Sequence, residues 1–419
     1  MGPILLFDKS FLQSLTLDES VWLDAFFLTN VCPMFYVETL ADIAKEGTKG
    51  RNAADEVRII ADKFPVLSSA PCAHHHDMVV SSLLGYDVPM TGQIPLSHGR
   101  LVQSGGELGL VSGESPVAAA FARWQEKQFL EVEHAFASAW RQGLTSLDLK
   151  PAIRALRTLG IEPTEAKRLP EARQRAGELL RLPIRDDSHL ESLLSIVSIQ
   201  SSQHPRVFRR WKDTGATLLH DFAPYAAFLL EVEVFFVIAA SAGLEFTRRP
   251  STHVDVAYLY YLPFCMVFAS SDRFHRQIAP LFLRPDQEFV WGQDLKQALR
   301  WLNGHFSAYP DEEKAAGVMA LARTLPENAP DILVQMWNRH LPSRKIGADH
   351  GPAKSTPRLD SFIEKARQME AAPTASPDPE TFHTGDVQRV LIKRKVPGKK
   401  GSWYLVPPQD KSEVPGQGA

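Results

Sequence analysis

The sequence predicts an α/β fold with a central, mainly parallel sheet, a large all-α insertion and a flexible C-terminal tail. Three observations carry this. A short apolar run, Ile4 to Phe7 in "ILLFDKSF", opens an alternation of strand-like and helix-like segments. Near-continuous helical periodicity then fills the middle of the chain, and the alternation returns after Arg249.

At 419 residues, with 44% hydrophobic and 23% charged residues, the chain suits a soluble protein of two or three domains with a real core. The net charge of -3 excludes a wholesale basic nucleic-acid binder and leaves room for a local patch. Cys32, Cys72 and Cys265 form no CxxC pair, so neither a disulfide framework nor a zinc ribbon is expected. With no signal-peptide pattern at the N-terminus, the expected compartment is the cytoplasm.

Residues 1–70 read as the first part of the α/β core. Ile4 to Phe7 is a buried strand ending on Asp8, and "LDESVWLDAFFLTN" is a helix with Asp18 and Asn30 placed as caps. "CPMFYVETLADIAKEG" and "NAADEVRIIADKF" follow as further elements. Residues 71–243 read as the helical insertion. It begins with irregular, Gly- and Pro-rich loops with room for one hairpin, and it ends in the apolar run Phe222 to Gly243. That run approaches membrane-spanning length, but Glu231 and Glu233 would each cost roughly 2.5–3.5 kcal/mol at mid-membrane, so a buried core helix is expected. Hydrogen bonds within the helical layer would satisfy both glutamates.

Residues 244–342 read as the second part of the core, from "STHVDVAYLYYL" and "FCMVFASSD" to two closing helices. Residues 343–419 read as a linker and a basic, largely flexible tail, with a helix-like "SFIEKARQMEAA" and room for a small hairpin around Pro397 and Gly398.

Four acids carry the functional expectation. Asp8 and Asp272 end strands, while Glu38 and Asp255 stand near the starts of predicted helices. In open α/β sheets these positions border the ligand crevice. Carboxylates gathered there would repel one another unless a cation joined them, and Mg²⁺ or Mn²⁺ suits an all-oxygen ligand set. Such an ion activates water at a phosphodiester.

At these residues the chain resembles the PIN-like domain nucleases. "LLFDKS" is similar to their first motif, with Asp8 followed by Ser10. "CPMFYVETLADI" with Glu38 looks like the second, and "HVDVAYLYYLPFCMVFASSDRF" looks like the third acid, Asp255, leading to a Ser-x-Asp turn at Ser270 and Asp272. The resemblance covers the first sixty or so residues and about fifty after Arg249. It implies a PIN-like three-layer fold and metal-dependent cleavage of nucleic acid, RNA rather than DNA. Asp8, Glu38, Asp255 and Asp272 would hold Mg²⁺ or Mn²⁺, with Ser10 and Ser270 orienting carboxylates. Arg248, Arg249, Arg273 and His275, close to the acids in sequence, are the candidates for holding substrate phosphates. A toxin or defence role, a protein partner and a homo-oligomer are all compatible with this reading.

Each acid also has an ordinary reading. Asp8 suits a turn, Glu38 a helix first turn, Asp255 a capping box with Thr252, and Asp272 a cap of the helix that follows. The alternative function is a non-catalytic PIN-like scaffold binding a protein or nucleic acid. Two other stretches compete for attention. "CAHHHDM" brings Cys72, His74, His75, His76 and Asp77 together at spacings unlike those of zinc sites. "HPRVFRRWK", His204 to Lys212, could track a phosphate backbone, although a solvated helix face is favoured.

Overall fold

The structure is a computed structural model, and it describes residues 2–45, 52–145, 148–215, 217–244, 252–342, 357–376 and 384–408. In chain order the main strands are β1 (Ile4–Phe7), β2 (Leu28–Val31), β3 (Ser69–Pro71), β4 (Arg100–Ser104), β5 (Glu107–Ser112), β6 (Val267–Ser270), β7 (Glu288–Trp291) and β8 (Arg389–Ile392).

Five of these strands make one sheet in the order β3-β2-β1-β6-β7, and every neighbouring pair is parallel. Parallel strands need crossovers that cover both faces, which explains the unbroken apolar run of β1. Leu5, Leu6 and Phe7 are all fully buried. Chain order reverses beside β1, which places the topological switch point at the carboxyl ends of β1 and β6. The mixed α/β architecture, with helices around a parallel sheet, is consistent with a three-layer fold.

Several local readings change. Asn30 is not a helix cap. The helix Leu17–Phe26 is started by Thr16 in a reciprocal capping box with Glu19, and Asn30 lies in β2, its amide donating to the Phe264 carbonyl. The polar Thr29 and Asn30 hid β2 from a reading based on apolar runs. Glu38 does not open its helix either. Pro33 occupies the first turn of Pro33–Leu40, so Glu38 falls on the second turn, beyond the reach of a helix-start effect.

In the middle of the chain the expected hairpin is β4–β5, and helices otherwise dominate. The spine is helix Pro224–Ser241, which is long and apolar enough to cross a membrane and is mostly buried among other helices. Its two charges are met inside the protein: Glu231 pairs with Arg173, and Glu233 takes the Tyr260 hydroxyl and the His253 ring. One continuous cluster of buried side chains joins this helical part to the sheet core.

Residues 384–408, expected as part of a mobile tail, are packed against the molecule. β8 adds to β5 in parallel, and the short pair Lys399–Lys400 with Trp403–Tyr404 turns at Gly401 (φ 58°), not at Pro397 and Gly398. Trp403 is 3% exposed, edge-on to Trp22 at 4.6 Å, and it donates to the Asn303 side chain at 2.8 Å. Lys400 is buried too, its ammonium donating to the Phe64 carbonyl. The sequence signal for mobility was composition, and composition does not register one large aromatic finding a slot.

Candidate functional site

The site grows from the central pair of strands. Phe7 stands opposite Ala269 across β1 and β6, so the next residues, Asp8 and Ser270, emerge side by side at the carboxyl edge. Asp8 caps helix Lys9–Ser14, its Oδ1 accepting from the Phe11 N–H at 2.9 Å. Its Oδ2 receives the hydroxyls of Ser10 and Ser270, each at 2.7 Å, and faces His275 Nδ1 at 3.2 Å. The carboxylate is 3% exposed and has its lone pairs filled from inside the protein.

His275 comes from helix Arg273–Ile278, which Asp272 starts by accepting from the Phe274 N–H at 2.6 Å. The ring is fully buried. Its Nδ1 faces Asp8 Oδ2 and the Ser270 hydroxyl, and its Nε2 lies 2.8 Å from the Asp255 backbone carbonyl. A carboxylate on one side and a carbonyl on the other both require a donor, so the ring carries two protons. Burial alone would push its pKa down; the hydrogen bond and charge of Asp8, with Asp255 behind them, raise it to about 9. Burial likewise works to raise Asp8, and His275 with the two serines overrides it and holds the carboxyl below its ordinary value.

Glu38 has a different cation. Lys9, one residue past Asp8 and 6% exposed, sends its ammonium to Glu38 Oε1 at 3.3 Å and to Asp42 Oδ2 at 2.9 Å. Burial opposes the Lys9 charge, and Glu38 and Asp42 more than restore it, so its pKa is raised. The other Glu38 oxygen accepts the Tyr258 hydroxyl at 2.7 Å. Lys45 also pairs with Asp42.

Asp255 is the exception. It lies in the first turn of helix Thr252–Leu259, one turn before Tyr258, and among the described residues no donor meets its carboxyl. Burial first, then the charges of Glu38, Asp272 and Asp8, push it up to about 7 against the pull of His275. The four predicted acids are therefore near enough to feel one another, yet they do not form one ligand set. Among the described residues no group of three or more His, Cys, Asp or Glu is placed to hold a metal ion. Asp8 and Glu38 are already neutralised by His275 and Lys9, so the residues as arranged do not fit Mg²⁺ or Mn²⁺.

Of the phosphate-binding candidates, Arg273 is exposed beside the site. His275 is not one, because it is fully buried and both ring nitrogens are engaged. Arg248 and Arg249 lie outside the described residues. Lys9, Asp42 and Tyr258 escaped the sequence reading. The signal was there for one of them: "ETLAD" spaces Asp42 four residues from Glu38, which asks for a cation between the two without saying which.

His74 caps helix His75–Leu83 and His75 turns inward, with no metal-ligating group formed around them among the described residues. On helix His204–Thr214, Phe208 and Trp211 pack inward and Arg210 is drawn under Phe222, while Arg206 and Arg209 remain exposed. No protein family, characterised protein or solved structure was found to match this chain.

Proposed function

We propose that the chain is a non-catalytic PIN-like scaffold that binds nucleic acid, its acidic centre serving to lock the carboxyl edge of the sheet. The observation that carries this is the relay Asp8–His275–Asp255 carbonyl, in which a buried imidazolium occupies the side of Asp8 that a catalytic cation would need. Lys9 does the same for Glu38. The surface offers phosphate contacts at exposed Arg206, Arg209 and Arg273, which suits a polyanion.

A second reading, Mg²⁺- or Mn²⁺-dependent phosphodiester hydrolysis of RNA, is favoured by one observation. Burial and three neighbouring carboxylates raise the pKa of Asp255 to about 7, and among the described residues no donor meets its carboxyl, so a cation there would favour its ionised form.

Incubating full-length protein with single-stranded RNA and DNA in Mg²⁺ or Mn²⁺ separates the two readings. The scaffold predicts RNA retention without cleavage above background. Cleavage by wild type that disappears in folded Asp8→Asn, Asp255→Asn and Asp272→Asn variants would establish the nuclease instead.

A further inference from the structure

Beside the acidic centre, and separate from it, lies a cavity of about 470 Å³ between helix His75–Leu83, the spine helix and helix Thr252–Leu259. Its walls are apolar, with Met34, Val79, Trp140, Val237 and Ala257 among them. The size and the mix of apolar wall with a few polar groups are those of a small-molecule site.

The polar groups can be assigned donor by donor. The Tyr261 hydroxyl accepts from the His75 backbone N–H at 3.2 Å and sits 3.0 Å from His75 Nδ1, which among the described residues is the acceptor its own hydrogen can reach. His75 then keeps its proton on Nε2. His74 Nδ1 accepts from the His76 N–H at 3.2 Å, which leaves its proton on Nε2 as well. The two rings stack 4.2 Å apart, and each has an N–H to offer a ligand. Burial and the neighbouring imidazoles keep His75 neutral, its pKa lowered to about 3.

Across the cavity stands Glu233. Its Oε1 takes the Tyr260 hydroxyl and the His253 ring, and Oε2 has no partner among the described residues. Tyr260 also lies 5.0 Å from the His75 ring, which ties the donor and acceptor sides together. His253 offsets the Glu233 charge, and among the described residues that line the cavity there is no lysine or arginine to attract a phosphate.

We propose that this cavity binds a nucleobase with a lactam edge, guanine or uracil, whose N–H meets Glu233 and whose C=O meets the imidazole N–H of His74 or His75. Apolar and aromatic walls, Trp140 among them, cover its faces. Reading an extruded base by edge hydrogen bonds and stacking is an economical way to grip a strand. Adenine and cytosine present no ring N–H beside a carbonyl and lose the match. This goes beyond the scaffold reading, because it names a site apart from the acidic centre and is tested without reference to metal or cleavage.

The test is calorimetric titration of the full-length protein with GMP, UMP, AMP and CMP, and with short single-stranded RNAs of guanosine or adenosine. The expected result is guanine binding about tenfold or more tighter than adenine. Glu233→Gln should erase that preference, Val237→Trp should fill the cavity and abolish binding, and GMP should move the ring-nitrogen shifts of His75. Tighter binding of the guanosine RNA than of GMP makes the ligand a strand; equal binding makes it a free nucleotide. Absence of binding by every nucleotide and RNA, equal affinity for all four bases, or binding that survives Val237→Trp would overturn the proposal.

Discussion

With a carboxylate at one ring nitrogen and a backbone carbonyl at the other, His275 must carry two protons, and Asp8 must remain ionised beside it. Removing either partner leaves a buried charge without its counterpart, which costs about 3–5 kcal/mol. His275→Gln is expected to destabilise the fold by that amount in a denaturant titration. Lys9→Met should cost about 3 kcal/mol, since Glu38 and Asp42 would then face each other without the ammonium they share, Asp42 keeping only Lys45 and Glu38 only the Tyr258 hydroxyl. Adding Glu38→Gln and Asp42→Asn to Lys9→Met should recover part of that loss, and full additivity of the three changes would show that the network is not coupled. At this scale the sequence told half the story. The acids stood out because strands and cores reject them, while their cations were invisible: Lys9 reads as an ordinary charged neighbour, and His275 lies 267 residues from the carboxylate it serves.

Each element of the site is positioned by a local rule and by one long-range contact. Helix Gly292–Ser307 shows this sharply. A Cβ at Gly292 would come within 2.2 Å of the Ser271 hydroxyl and 2.9 Å of the Phe11 ring, so a side chain there forces Ser271 and Phe11 to shift at the β6 edge. Gly292→Ala is expected to cost about 1–3 kcal/mol of stability through overpacking, and an unchanged melting midpoint would remove the close approach from the account. The C-terminal pair offers a second test. Trp403→Ala should cost about 3–5 kcal/mol, as for any large aromatic removed from a core, whereas a free tail would lose nothing. The apolar strand β1 and the helical middle were legible from periodicity. β2 was not, because Thr29 and Asn30 carry polar side chains into a buried strand, their hydroxyl and amide donors going to the Ser68 and Phe264 carbonyls.

Across the whole molecule these groups link stability to pH. His275 titrates at about 9 in the folded protein against 6.5 when unfolded, so its contribution is complete below about pH 6.5 and is lost as pH rises through 9. Asp255 titrates at about 7 against 3.8, which means the folded state holds its proton longer, and the cost of ionising it grows as pH climbs from 3.8 through 7. Both terms lower stability on the alkaline side. Lys400, depressed to about 8 by burial, works the other way only above that pH. His75 acts on the acid side, where charging a buried ring costs stability as pH falls below 6.5. The melting temperature should therefore peak between about pH 5 and 6.5 and decline towards pH 9, and a rise across that alkaline interval would contradict these assignments. The mainly parallel sheet was legible from the alternation of strand-like and helical segments, whereas its strand order, its switch point and the compensated charge there emerge only when distant segments meet.

Two of the four acids, Asp8 and Glu38, are neutralised by the protein's own cations, His275 and Lys9. Ring-nitrogen NMR of His275 in the full-length protein, with and without Mg²⁺, tests it most directly. The expected spectra show two protonated ring nitrogens at neutral pH, titration at about 9, and no change on adding Mg²⁺. A neutral His275 at pH 7, or one that gives up its proton when Mg²⁺ is added, would contradict it and return Asp8 to a metal.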